Sequence, residues 1–195
     1  KTPAHQKNSR AYTLRARTLV EMLHLRAGKE EHFLLFMDMQ NNPHPIGVAE
    51  TVARCRQVAR HLMVRGLAKD DKVVLMLPTG PEFVYLFFGV LMAGGVPVPV
   101  SQPAHASHLD KYLEGLTHIL RDCEAKFFIA HDKLADLGHG WAGLDRLRDG
   151  LIFPQELLAP LPAEDDGSPL PEVHAEDTAL IQYTSGATGL PKGVV

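Results

Sequence analysis

Apolar positions along the chain follow two rhythms, and together they outline helices alternating with strands. Thr18-Leu-Val-Glu21 has the form of a capping box and opens a predicted helix through about Arg26, with Gly28 as its stop. His32-Phe-Leu-Leu-Phe-Met37 is a continuous apolar run that predicts a buried strand, and Asn41-Asn-Pro-His-Pro45 predicts a turn. From Ile46 to Arg65 the residues Val48, Val52, Cys55, Ala59, Leu62 and Met63 keep helical spacing, and Gly66 is placed to end that helix. Its other face carries Arg54, Arg56, Gln57 and Arg60, which predicts a solvated face or a docking row for an acidic partner.

Lys72-Val-Val-Leu-Met-Leu77 is nearly all apolar, the pattern of a parallel strand covered on both faces. Pro78-Thr-Gly80 turns the chain, Pro81 suits a first helical position, and Glu82 favours the dipole of a helix over Phe83 to Ala93. Gly94-Gly95 ends that helix, and Val96-Pro-Val-Pro-Val100 follows as a strand whose prolines suit an edge or a bulge. Strand, helix and strand in this order predict a right-handed crossover unit of a doubly wound sheet. No charged residue occurs between Phe83 and Ser107, a length that would suit a membrane span, but Gly94, Gly95, Pro97, Pro99 and Pro103 break it. A buried helix followed by a buried strand explains the stretch better.

Ser107-His-Leu-Asp110 opens a further helix with Leu109, Tyr112, Leu113, Leu116, Ile119 and Leu120 on one face, and Lys126-Phe-Phe-Ile-Ala130 is the next strand. From His131 to about Asp177 the pattern loosens, and residues 159–177, with Pro160, Pro162, Pro169, Pro171 and the acidic turn Glu164-Asp-Asp166, predict a surface connection. Gly138-His-Gly-Trp-Ala-Gly143 matches the dinucleotide fingerprint by letter, but it follows the polar Asp132-Lys-Leu-Ala-Asp136 rather than a strand, so it predicts a loop with Trp141 as a packing anchor.

Composition narrows the classes. In 195 residues, 45% hydrophobic and 22% charged is ordinary for a globular protein, and a net charge of −3 gives no basic footprint for nucleic acid. Cys55 and Cys123 fall at apolar helix positions, as buried thiols of a reducing, cytoplasmic compartment would. His105 and His108 have a ligand-like spacing without a clustered third ligand, so no metal site is assigned. Residues 1–12, polar and without an apolar core, are expected to be a disordered or trimmed edge and no signal peptide.

The densest chemistry lies in Thr178-Ala-Leu-Ile-Gln-Tyr-Thr-Ser-Gly-Ala-Thr-Gly-Leu-Pro-Lys-Gly-Val-Val195. Ala179 to Gln182 predicts a short buried strand, and Tyr183 to Gly193 a loop of hydroxyls, glycines and one lysine. Gly186 and Gly189 allow positive φ and inward N–H groups, Thr184, Ser185 and Thr188 add hydroxyl donors, and Lys192 adds a mobile positive charge. Pro191 stiffens the approach to the lysine, and Gly193 leaves room beside it. This is phosphate-binding chemistry, yet the spacing fits neither a Walker A loop, since Pro191 stands at its second glycine, nor the Rossmann pattern, since Thr188 does.

The loop resembles that of the AMP-forming adenylating enzymes, which reads Tyr/Phe-Thr-Ser-Gly-Ser/Thr-Thr-Gly-x-Pro-Lys-Gly; every position matches except Ala187. The likeness extends from about Thr18 onward, through Leu67-Ala-Lys-Asp-Asp71, where Asp70 replaces a usual glycine, and Phe88-Gly-Val-Leu-Met-Ala-Gly-Gly-Val-Pro-Val-Pro-Val100. Gly80-Pro-Glu-Phe83, Val96-Pro-Val-Pro-Val100 and Ile181-Gln-Tyr-Thr-Ser-Gly186 are most similar to the fatty acyl-AMP ligase branch.

The resemblance implies an α/β fold of layered sheets with flanking helices, with residues 13–195 as the N-terminal part of an AMP-binding domain. It implies ATP and Mg2+ as cofactors, a carboxylic acid as substrate, a fatty acid above all, and CoA or a carrier-protein phosphopantetheine as thiol acceptor. Thr184, Ser185, Gly186, Ala187, Thr188, Gly189 and Lys192 are the expected phosphate-binding residues, with Gln182, Tyr183, Pro191 and Gly193 in support and no catalytic residue expected among residues 1–195. At Ala187 the backbone N–H remains while a hydroxyl is lost, which is expected to weaken the loop without abolishing it. Acyl-CoA or aryl-CoA synthetase activity and a non-catalytic nucleotide-binding module remain alternatives. A kinase-like reading needs a metal-binding carboxylate near the loop, and the sequence singles none out.

Overall fold

The computed structural model describes residues 16–27, 32–38, 40–103, 109–131, 141, 147, 150–184 and 189–195. In chain order the elements are α1 (Leu19–Arg26), β1 (His32–Met37), β2 (Pro43–Gly47), α2 (Val48–Val64), β3 (Lys72–Met76), α3 (Pro81–Met92), β4 (Val96–Pro99), α4 (Leu109–Asp122), β5 (Phe127–Ala130), β6 (Leu151–Ile152), α5 (Pro154–Leu157), β7 (Gln182–Thr184) and β8 (Lys192–Val194).

Val73, Val74, Leu75 and Met76 of β3 are all buried, and because successive strand residues face opposite ways, both faces of the sheet must be covered. Val73 and Leu75 share a core with Val52, Val58 and Leu62 of α2 and Leu86 and Val90 of α3. Val74 and Met76 share the other core with Leu116, Ile119 and Leu120 of α4, where Phe128 of β5 is fully enclosed. The sheet order is β4-β3-β5-β6, every neighbouring pair parallel. The chain leaves β3 for β4 over one face and returns past it to β5 over the other, so the strand order reverses at β3. Open α/β sheets bind ligands beyond the carboxyl ends of their strands at such a point.

Helix ends follow the sequence signals closely. Thr18 Oγ1 accepts from the Glu21 amide at 3.0 Å, while the Glu21 carboxylate reaches one residue further back, to the Arg17 amide. Pro81 opens α3. Three helices end in the same double bond pattern, in which the residue after the cap turns left-handed: Gly66 (φ 83) after α2, Gly94 (φ 79) after α3 and Glu124 (φ 51) after α4. A β-carbon in this region costs about 1–2 kcal/mol. Glu124→Gly therefore raises stability by about 1 kcal/mol, or about 2–4 °C in melting temperature, as thermal unfolding followed by circular dichroism will show. Asp70, which stands where the resemblance expects glycine, is likewise left-handed at φ 66.

Several expectations need correction. The β1 run is not buried: it pairs antiparallel with β2 in a separate hairpin, and Leu35 and Met37 are 59% and 50% exposed. A lone hairpin has one face to hide, and half of an apolar run must then face outward. The hairpin's turn is set by Asp38, whose carboxylate accepts from the Gln40 and Asn42 amides and the Asn42 side chain; these bonds hold it at about 2. Ile46 belongs to β2, and the helix begins at Val48.

The row on α2 is only partly solvated. Arg60 Nη1 meets Asp165 Oδ1 at 2.7 Å with both side chains mostly covered, and the Gln57 amide donates to the Ala159 carbonyl. The acidic partner of the arginine row is the chain's own connection, so Asp165 is not part of a freely solvated turn. Lys69 Nζ to Asp177 at 2.8 Å and the half-buried Leu170 and Val173 pin the same segment. It is a strap across α2 and the α3 terminus.

Cys55 and Cys123 are free and buried, and burial pushes their thiols up to about 12 and about 11. Among the described residues, no helix is long and apolar enough to cross a membrane. The amino-terminal segment 1–12, Gly28, the cap at Ser107, the His105/His108 pair and most of the 138–143 pattern lie outside the described residues. Trp141 does anchor packing: it stands edge-on to Phe128 at 6.3 Å, and its indole N–H is bound internally, to Thr117 Oγ1 at 2.8 Å.

Candidate phosphate-binding site

The predicted strand at Ala179 to Gln182 lies two to three residues later and is not buried. β7 covers Gln182–Thr184, with Gln182 and Thr184 exposed and Tyr183 half-covered. It pairs antiparallel with β8 in the register Gln182↔Val194, Tyr183↔Gly193 and Thr184↔Lys192, so the loop between them closes on itself. Among the described residues, the hairpin is tied to the main sheet by one backbone bond, Ile181 N–H to the Pro97 carbonyl at 3.1 Å, at the outer edge of β4. One such bond cannot bury a strand on both faces, which is why the apolar Ala179-Leu-Ile181 does not become a core strand.

Side chains add what the backbone lacks. Ile181 and Tyr183 pack against the α4 core, and the Tyr183 ring lies across Gly193, where an added β-carbon would come within 3.2 Å of it. The Tyr183 hydroxyl donates to Asp122 Oδ2 at 2.5 Å, and burial together with that bond holds the phenol above the usual tyrosine range. On the other limb, His118 Nε2 donates to the Pro191 carbonyl at 2.9 Å. Because the acceptor is a carbonyl, this nitrogen carries the proton. Both limbs of the loop are thus held by one helix.

Thr184 and Lys192 come together at the base of the loop as cross-strand partners, both exposed. Gly189 takes φ 112, the positive value that its place in the loop predicts. Ser185, Gly186, Ala187 and Thr188 lie outside the described residues. Gln182, Thr184, Gly189 and Pro191 line one wall of a cleft of about 380 Å³, whose other walls are Pro99 at the end of β4, Val100 and Ser101 just after it, and Lys111, Tyr112 and Leu116 on α4. The cleft therefore sits at the carboxyl end of the sheet beside the point of strand reversal. Tyr112 braces its floor: its hydroxyl donates to the Ser101 carbonyl at 2.5 Å, and burial pushes the phenol up to about 12.

The donors gathered here are amides, hydroxyls and an ammonium group, a set that fits an anion of several oxygens rather than a bare cation. Among the described residues, no cluster of three or more His, Cys, Asp or Glu stands ready to hold a metal ion. His118 and Asp122 carry no sequence signal of their own, since on α4 they read as ordinary members of a polar face, and Tyr112 reads only as a member of the apolar one. The i, i+4 spacing of His118 and Asp122 shows that they share a face but not what that face meets.

Comparison with known proteins follows the same lines. The family model described as AMP-binding enzyme matches residues 33–195. The chain is 33% identical over 155 residues to 4-coumarate–CoA ligase 3 of Arabidopsis thaliana, covering 75% of this chain and 26% of that protein. It is 34% identical over 146 residues to surfactin synthase subunit 2 of Bacillus subtilis, covering 75% of this chain and 4% of that one. Among solved structures, one from the fatty acyl-adenylate ligases of E. coli and L. pneumophila superposes with a TM-score of 0.79 at 29% identity, over 91% of this chain and 31% of that one. The chain thus spans about a quarter of the 4-coumarate–CoA ligase and about a third of the fatty acyl-adenylate ligase.

Proposed function

Since the chain belongs to the AMP-binding enzyme family, we propose that its Tyr183–Gly193 loop grips the β- and γ-phosphates of ATP in an enzyme that activates a carboxylic acid as its acyl adenylate. Residues 13–195 are then the N-terminal part of the adenylating domain. The observation that carries this reading is the closed hairpin, which pairs Lys192 with Thr184, a residue that lines the cleft at the sheet's carboxyl end.

In the proposed reaction a carboxylate oxygen attacks the α-phosphorus, the bond to the β-phosphate bridging oxygen breaks, and pyrophosphate leaves with the electron pair. Negative charge grows on the departing group. Thr184, Ser185, Gly186, Ala187, Thr188, Gly189 and Lys192 stabilise it there with hydroxyls, amides and one positive charge. Gln182, Tyr183, Pro191 and Gly193 support them. Mg2+ arrives with the triphosphate, whose oxygens supply much of its coordination.

A fatty acid is the proposed substrate class, supported by the likeness to the fatty acyl-adenylate ligases, and the acyl group passes to a thiol of CoA or of a carrier protein's phosphopantetheine. The buried free thiols support a reducing, cytoplasmic setting. The likeness to a 4-coumarate–CoA ligase favours a second reading, an aryl- or acyl-CoA synthetase. One experiment separates them: the full-length protein is incubated with Mg-ATP, CoA and a panel of fatty and aryl acids, and products are identified by mass spectrometry. Accumulating acyl-AMP is the expected result, acyl-CoA selects the synthetase, and neither product with any acid overturns the adenylation reading.

A further inference from the structure

Among the described residues, the loop's hairpin joins the sheet through a single backbone bond, which does not by itself fix where the loop sits. What fixes it is α4. From the His118 Nε2–H to the Pro191 carbonyl and from the Tyr183 hydroxyl to the Asp122 carboxylate, two bonds of 2.9 and 2.5 Å run from the two limbs to residues one helical turn apart. We infer that His118 and Asp122 are positioning residues for ATP, clamping the two ends of the loop so that Thr184 and Lys192 face the triphosphate. This rests on the reading of the loop as the triphosphate site.

The placement of the two bonds gives the inference its content. Each clamp lies one residue from a candidate phosphate contact: Tyr183 precedes Thr184, and Pro191 precedes Lys192. The Pro191 carbonyl and the Lys192 N–H belong to one planar peptide unit, so holding the first orients the second and the Cα from which the lysine stem departs. α4 is a rigid anchor, since Leu116, Ile119, Leu120 and Cys123 on its other face are buried against the sheet. A third contact steadies the same turn, Thr117 to the Trp141 indole. The clamp thus converts the packing of α4 into order at an exposed loop, and donors ordered in advance lose less freedom on binding.

The test uses the full-length protein with His118→Leu, which removes the donor, His118→Gln, whose side-chain amide can restore it, and Tyr183→Phe, which releases Asp122. Loss of one such bond predicts a rise of about 3- to 10-fold in the KM for Mg-ATP in His118→Leu and Tyr183→Phe, with the KM for the acid unchanged and most of the loss recovered in His118→Gln. Unchanged ATP constants, an equal loss in Leu and Gln variants, or an equal rise for ATP and acid would each overturn the clamp. A second measurement stands apart from turnover: hydrogen exchange of peptides covering 182–194 is expected to accelerate in His118→Leu and not in His118→Gln. If the wild type forms no adenylate, the adenylation reading fails, and exchange alone decides the clamp, with no acceleration overturning it.

Discussion

In the full-length protein, Lys192→Ala combined with Thr188→Ala lowers kcat/KM for Mg-ATP by about 10³-fold, since two hydrogen bonds to charged oxygens are each worth about 1.5–3 kcal/mol. The loss falls mainly on kcat, because charge on the departing pyrophosphate is larger in the transition state than in bound ATP and interactions made there act on rate. Lys192 is exposed, so Lys192→Ala on its own empties no core. Its thermal stability is therefore expected to stay within about 0.5 kcal/mol. ATP–pyrophosphate exchange with a competent acid measures the effect, and undiminished turnover would remove the loop from the site.

The second large effect is on stability. α2 and α3 are in close contact at Gly89, where an added β-carbon would lie 2.4 Å from Val58 Cγ1, 2.6 Å from Val58 Cβ and 3.1 Å from the Cys55 carbonyl oxygen. Val58 and Cys55 are fully buried and β-branched valine has little rotamer freedom in a helix, so the helices must part. Overpacking of this kind costs about 3 kcal/mol or more, against about 1 kcal/mol gained from the better helix propensity of alanine. Gly89→Ala is expected to lower the melting temperature by about 4–8 °C, a net loss of about 2 kcal/mol. Adding Val58→Ala removes Cγ1 but leaves Cβ, so the double variant recovers only part of the contact strain. No change in Gly89→Ala would mean that the two helices separate freely.

The doubly wound core was legible because its signals are local or periodic. The β3 run, Pro81, Gly66 and Gly94 each state a conformation through their own chemistry, and the structure places all four as that chemistry requires. The loop motif was legible for the same reason, and Gly189 takes the positive φ its type permits. What was not legible depends on partners far away in the chain. His32 to Met37 has the composition of a core strand, but its hairpin has only one covered face. Asp165 looks like any surface acid until Arg60, 105 residues earlier, is brought against it. His118 and Asp122 acquire a purpose only when the hairpin lands on α4, and no spacing along one helix reveals that.

The prolines of β4 have one more consequence, and it is colloidal. Val96 and Val100 donate inward, to the Asp71 and Leu75 carbonyls of the β3 side, so the alternating residues Pro97 and Pro99 own the outward edge. Neither has an N–H to offer, and the Pro97 carbonyl is already taken by Ile181. An incoming strand from another molecule finds no donor within this strand's edge and one occupied acceptor. The sheet is capped by composition rather than by a covering helix, which lets so apolar a strand lie near an opening without recruiting its own kind as protein concentration rises.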